Sequence, residues 1–196
     1  MANTNKPFGL RPHSSLNGGP WSGNVRQFCA NTSETSNIFV GDLVQLAGSE
    51  DIVYPDDLPF PTAILATTGG TMVGVVVGVT PKYGDLDVLY RKASIAQYLL
   101  VDTDPNTIFA IQGDADTYAK ADVGLNAIVT CTAGNTTTGT SNFVLDQSDV
   151  STSTGTNADV KLLASAPIVG NDLTGGYPIL LVKILNHAYG ANAIGA

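Results

Sequence analysis

From Val25 onward, apolar and polar residues alternate in short runs, a pattern typical of β-strands. Turn-forming residues separate these runs about every eight to twelve positions. The clearest runs are "VRQFCA", "NIFVGDLVQLAG", "DVLYRKAS", "AQYLLVDTD" and "NTIFAIQGD". This spacing predicts an all-β fold, either a compact antiparallel β-barrel or a sandwich.

Two longer apolar runs carry further information about the core. "TMVGVVVGVTP" is apolar at almost every position, which predicts a strand buried on both faces, and its Gly74 and Gly78 predict bulges, bends or close backbone approach. "YPILLVKILNHAYG" is either a strand or a buried helix, and Pro178 with the β-branched content favours a strand. Its segment Ile179 to Leu185 belongs either to the domain core, which is the interpretation we favour, or to a subunit interface.

Helix is expected only in one or two short turns. The segment "TYAKADVGLNA" is the one candidate, with Thr117 as its cap and Gly124 as its stop. The Ser/Thr/Asp-rich segment "QSDVSTSTGTNADV" is predicted to be an exposed loop.

Residues 1–24 differ from the rest of the chain. Prolines and glycines exclude a regular helix and a central strand there, so an extended N-terminal arm is expected. Its apolar side chains are poorly suited to water, and they either fold back on their own domain or dock on another subunit: Phe8, Leu10, Leu16 and Trp21. The predicted organisation is an arm at 1–24, a β-rich domain at 25–190 and a flexible tail at 191–196.

Composition narrows the range of partners. The chain of 196 residues is 43% hydrophobic and only 13% charged, with a formal net charge of −8. Such an acidic chain is repelled by phosphate, so no nucleic-acid binding is expected. No run approaches the ~18 apolar residues of a membrane helix, and no secretory signal is visible. We therefore expect a soluble protein made in the cytoplasm and no membrane partner.

The sequence offers little catalytic chemistry. The two histidines, His13 and His187, lie far apart, and no nucleophile-elbow motif occurs. "DTDPN" begins like a calcium loop but lacks the later glycine and glutamate, which favours an Asx-rich turn. Cys29 and Cys131 share no metal or redox spacing, and two buried reduced thiols are favoured over a disulfide. We expect no catalytic centre, no cofactor and no metal, hence no enzyme.

Several motifs together resemble the head decoration, or capsid cement, proteins of tailed bacteriophages. They occur in that family's order between Asn5 and His187, although the region Ser49 to Gly70 looks long for the family. The motifs are "MANTNKPFGLRP", "FVGDLV", "GVVVGV", "VLYRKAS", "YLLVDTDPNTIFAIQ", "DVGLNA", "GNTTTG" and "LVKILNH".

This resemblance implies a small, β-rich, non-enzymatic virion protein on the outer surface of the phage head. Such proteins bridge neighbouring major capsid proteins and stabilise the shell, as homotrimers, which we favour here, or as dimers. The expected capsid contacts lie in the arm: Lys6, Pro7, Phe8, Gly9, Leu10, Arg11, Pro12 and Trp21. The alternative is a receptor-binding or adhesive β-module of a virion, which would need a carbohydrate platform of exposed aromatic residues with acidic or amide partners.

Overall fold

The computed structural model describes residues 3–52, 58–81, 85–151 and 158–190. These residues form a nearly all-β protein, which confirms the predicted fold class. The described helical structure is a 3-10 turn at Lys120–Asp122, inside the segment where a short helical turn was predicted. The strands are β1 (Arg11–Ser15), β2 (Val25–Ala30), β3 (Leu43–Asp51), β4 (Phe60–Leu65), β5 (Met72–Val79), β6 (Gln97–Asp102), β7 (Thr107–Gln112), β8 (Asn126–Thr130), β9 (Val144–Ser151), β10 (Val160–Ser165) and β11 (Ile179–Ile184).

The strands form a closed barrel and a separate sheet. The barrel has five strands in the order β2-β4-β3-β5-β6, and the six-stranded sheet has the order β1-β7-β11-β10-β8-β9. The named strand pairs are antiparallel except β2 with β4, which is parallel. The barrel is one of the two predicted alternatives, whereas a separate six-stranded sheet beside it was not predicted.

Strand β5 joins the two parts because it is buried on both faces. Val73 and Val76 belong to the apolar cluster of the barrel. Met72 and Val75 belong to the larger cluster shared with the six-stranded sheet, where they join Phe109 of β7. The prediction of a doubly buried strand is confirmed.

The apolar segment near the C-terminus is a strand of the core. Leu180, Val182 and Ile184 of β11 are buried against the shared cluster. The choice of strand over helix is confirmed, and these side chains are core residues in the single chain. The predicted loop from Gln147 is corrected, since β9 extends to Ser151 before the undescribed residues 152–157.

The described N-terminal residues are built into this fold. Strand β1 pairs with β7, and Leu10 is buried in the shared cluster. A boundary at residue 24 therefore does not separate two structural units, because β1 lies in the same sheet as the C-terminal strands. The predicted tail at 191–196 lies outside the described residues.

Candidate functional site

The predicted contact residues divide into buried and exposed groups. Gly9 and Leu10 are buried, and Leu10 is only 1% exposed. Pro7, Phe8, Pro12 and Trp21 are half-buried, whereas Lys6 and Arg11 are exposed. Leu10 is therefore corrected from a predicted partner anchor to a core residue.

Gly9 allows the chain to enter the core beside the barrel. The Leu10 amide donates a hydrogen bond to the Gly41 carbonyl at 2.9 Å. A Cβ on Gly9 would lie 2.4 Å from that oxygen, and the residue has φ +68°. Both the close approach and the backbone conformation require glycine.

Gln112, at the end of β7, binds the backbone before β1. Its Oε1 accepts a hydrogen bond from the Lys6 amide at 3.0 Å, and its Nε2 donates to the Thr4 carbonyl at 3.0 Å. Asn3 makes a similar two-way contact, since its Nδ2 donates to the Asp172 carbonyl and its Oδ1 accepts from the Asp172 amide. These contacts fix residues 3–6 against the sheet.

Trp21 is anchored separately, at the end of β6. Its Nε1 donates a 2.7 Å hydrogen bond to Oδ2 of Asp102, a fully buried carboxyl. Burial raises the pKa of Asp102, while hydrogen bonds from the Asp104 amide, the Thr107 hydroxyl and Trp21 oppose that rise. The indole thus has a hydrogen-bonding role within its own chain.

We use the name N-terminal cationic surface for three of the predicted contact residues, the exposed Lys6 and Arg11 and the half-buried Phe8. The Arg11 guanidinium lies over the Phe8 ring, 4.5 Å from its centroid. This cation–π contact orients a donor-rich side chain and an aromatic ring together.

The charge distribution sets this region apart from the rest of the molecule. Residues 1–24 contain two of the nine Lys and Arg residues and none of the 17 Asp and Glu residues, a formal charge of +2. The other 172 residues keep seven cations against those 17 acidic residues, a net charge of −10. The N-terminal segment is therefore complementary to an acidic partner surface.

The two histidines considered for catalysis lie in different environments. His13 is exposed and contacts the Ser14 hydroxyl, whereas His187 is buried and its Nδ1 accepts a hydrogen bond from the Tyr189 amide. Within the described ranges, no group of three or more His, Cys, Asp or Glu residues is arranged to hold a metal ion.

The described part of the chain also contains no helix long and apolar enough to span a membrane.

The "DTDPN" segment forms the predicted Asx-rich turn. Asp102 Oδ1 accepts a hydrogen bond from the Asp104 amide at 3.0 Å, and Asp104 Oδ1 accepts one from the Asn106 amide at 2.8 Å.

Both cysteines are free thiols, with Cys29 buried and Cys131 half-buried. Burial raises the pKa of each thiol to about 11, so both are protonated at neutral pH.

Sequence reasoning missed the residues that hold the N-terminal segment. Gln112 and Asp102 are single polar residues at the ends of apolar strands, and both are buried. Their unusual placement was the available signal, but only the fold shows which backbone or side chain each one binds.

No family model matches this chain, and neither curated proteins nor solved structures gave a match.

Proposed function

We propose that this chain is a structural, non-enzymatic virion protein that decorates the outer surface of a phage head. It binds neighbouring major capsid proteins and cements them together. The observation that carries the proposal is the N-terminal cationic surface on an otherwise acidic β-rich molecule. The motif resemblance described above supports the same assignment.

The N-terminal segment is already held against its own domain, and this order favours binding to a capsid. Ordering a free chain costs about 1–2 kcal/mol per residue in backbone entropy. Hydrogen bonds to Gln112 and Asp102 already order residues 4–6 and Trp21 in the single chain. A capsid therefore meets a preorganised surface, which loses less entropy on binding than a disordered strap would.

We favour a homotrimer for the bound form, with a dimer as the alternative. Three copies of one weak surface delivered to a single lattice point hold much more tightly than one copy, because the second and third contacts are intramolecular. Native mass spectrometry of the free protein and a cryo-EM map of the decorated head would each give the copy number. A strictly monomeric protein on the head would contradict this part of the proposal.

The central test uses surface substitutions on the full chain. We expect the double variant Phe8→Ala/Arg11→Glu to fold normally and to lose co-sedimentation with expanded heads prepared without this protein. Leu16→Ala is the matched control, because Leu16 lies in the same segment and is 48% exposed but lies outside the N-terminal cationic surface. Head binding equal to wild type by a folded double variant would overturn the proposal.

A receptor-binding or adhesive module is the second candidate, because Tyr189 is exposed and lines a cleft together with polar residues. Copy number separates the two functions. A cement protein is among the most abundant virion proteins after the major capsid protein, whereas a receptor binder is present in few copies.

A further inference from the structure

An open cleft lies where β2 begins and β6 ends, and none of the residues of the N-terminal cationic surface lines it. Its volume is about 710 Å³. Three distant parts of the chain form it: the residues before and within the start of β2, the turn between β6 and β7, and Tyr189 beyond β11. A cleft of this size falls within the range of small-molecule sites.

Two residues that line the cleft, Asn24 and Asp104, present hydrogen-bonding groups with unused capacity. Asp104 Oδ2 accepts a 3.1 Å hydrogen bond from Asn24 Nδ2, and both side chains are accessible to solvent. The Asn24 amide keeps a second N–H and its carbonyl oxygen, and the carboxylate keeps further lone pairs. A ligand hydroxyl therefore finds both donors and acceptors there.

Two further lining residues combine an aromatic ring with a guanidinium. Tyr189 is 42% exposed, and the Arg26 guanidinium lies 5.7 Å from its ring centroid. The Tyr189 backbone is fixed by its 3.0 Å hydrogen bond to His187 Nδ1. Arg26 lines the cleft, and among the described residues no ion pair joins it to a carboxylate.

Tyr189 also borders a second hollow, which extends the surface on which a longer ligand can lie. This hollow has a volume of about 480 Å³ and includes Leu46 and Pro61 among its lining residues. A chain of several rings can therefore pass Tyr189 and contact both depressions.

We propose that this cleft binds a neutral saccharide, with one sugar ring packed on Tyr189. Sugar rings have an apolar C–H face for the tyrosine, and their hydroxyls both donate to Asp104 and accept from Arg26 and Asn24. An uncharged ligand avoids repulsion from Asp104 and from a chain of net charge −8. The proposal is independent of head decoration, since it uses none of the residues of the N-terminal cationic surface.

The test is a titration of the isotope-labelled full-length protein followed by amide chemical shifts. The probes are the methyl glycosides of glucose, galactose, mannose and N-acetylglucosamine and their short oligosaccharides, with N-acetylneuraminic acid as the anionic comparison. We expect at least one neutral sugar to bind with a dissociation constant of roughly 1 mM or below. The shifted amides should include Asn24, Arg26, Asp104 and Tyr189.

Two variants and a matched control make the test specific. Tyr189→Ala and Arg26→Ala should each weaken sugar binding at least about tenfold, whereas Tyr189→Phe should retain it. Arg11→Ala is the control, because Arg11 also lies over an aromatic ring but outside the cleft. It should leave sugar binding unchanged.

Three outcomes would overturn the proposal. They are no shift with any neutral sugar, preferential binding of N-acetylneuraminic acid, and unchanged affinity in a folded Arg26→Ala variant. Loss of head binding in the Phe8→Ala/Arg11→Glu variant bears only on head decoration, so the two proposals fail separately.

Discussion

At the residue scale, Gly74 shows how close packing of the barrel constrains one position. A Cβ at Gly74 would lie 1.9 Å from the backbone carbonyl oxygen of Asp102 in the neighbouring strand. Neither group is at the end of a flexible side chain, so the two strands would have to separate. The register of β3 against β5 also shifts at this point, as expected for a bulge.

We therefore predict that Gly74→Ala lowers the free energy of unfolding by roughly 3 kcal/mol. Chemical denaturation followed by circular dichroism measures this change. Gly19→Ala is the control, because a Cβ there meets nothing within 4 Å. It should change stability by less than about 0.5 kcal/mol, and equal effects of the two substitutions would contradict the steric argument.

Asp42 is a second residue whose environment has a measurable consequence. It is 1% exposed, and its Oδ2 accepts a 2.8 Å hydrogen bond from the Phe39 amide. Burial raises its pKa from 3.8 to about 7, although hydrogen bonds from Ser141 and Phe39 oppose the rise. The folded state therefore binds this proton more tightly than the unfolded state, and the stability contributed by protonated Asp42 is lost as pH rises from about 4 to about 7.

His187 has the opposite effect over nearly the same range. Burial lowers its pKa from 6.5 to about 4, so its contribution to stability is lost as pH falls from about 6.5 to about 4. The two effects partly cancel in the wild-type protein. A flat pH profile of the wild type would therefore not reveal either group.

Comparison with Asp42→Asn removes this cancellation. We predict that the stability of the variant relative to wild type increases by roughly 3 kcal/mol between pH 4 and pH 7, because one pKa unit corresponds to ~1.4 kcal/mol and the titration is incomplete at both ends of this range. Urea unfolding of both proteins across this range measures the difference. A constant difference would show that Asp42 titrates normally in the folded protein.

At the scale of elements, β1 is an edge strand of the six-stranded sheet and pairs with β7. It covers β7 and brings Leu10 into the core shared by the sheet and the barrel. Removing residues 1–15 therefore deletes a core side chain and exposes the edge of β7. Exposed edges pair readily with other chains.

We predict that this deletion produces aggregation, and that Leu10→Ala alone lowers the free energy of unfolding by about 3 kcal/mol. Light scattering and denaturant unfolding measure the two effects. A deletion of residues 1–5, which keeps β1, is the control and should remain soluble. A soluble, stable protein lacking residues 1–15 would contradict the structural role of β1.

Most strands could be predicted because the residue patterns that indicate them lie in consecutive stretches of the sequence. The apolar run of β5, its glycines and the Asx turn after β6 each follow from residues adjacent in sequence. The pairing of β1 with β7 is not local, since it joins residues about 100 positions apart, such as Arg11 and Ala110. A proline-rich segment gives no periodic signal for such a strand.

The candidate contact surface was only partly predictable for the same reason. The family resemblance predicted Lys6, Phe8 and Arg11 as capsid contacts, and these stay predictions. It also predicted Leu10, whose side chain is buried in the core of its own chain. The cleft at Tyr189 was not predicted at all. Its walls are separated by up to 166 positions, from Gly23 to Tyr189, and no sequence motif links them.

At the scale of the whole molecule, the separation of charge predicts how decoration should respond to salt. In the proposed decoration, the N-terminal segment of charge +2 is attracted to an acidic patch on the capsid, whereas the remainder of net charge −10 is repelled by it. At an ionic strength of 0.15 M the screening length is about 8 Å, so higher salt weakens this attraction. Head binding should therefore fall as salt is raised.

The double variant Lys6→Gln/Arg11→Gln should bind heads more weakly at low salt and should show much less dependence on salt than the wild type. The matched control is Arg26→Gln/Lys120→Gln, which removes two exposed cations outside the N-terminal segment. Because both variants change net charge equally, a difference between them arises from where the charge lies. Co-sedimentation across a salt series measures both, and the same salt dependence in the two variants would contradict a directed electrostatic contact through the N-terminal cationic surface.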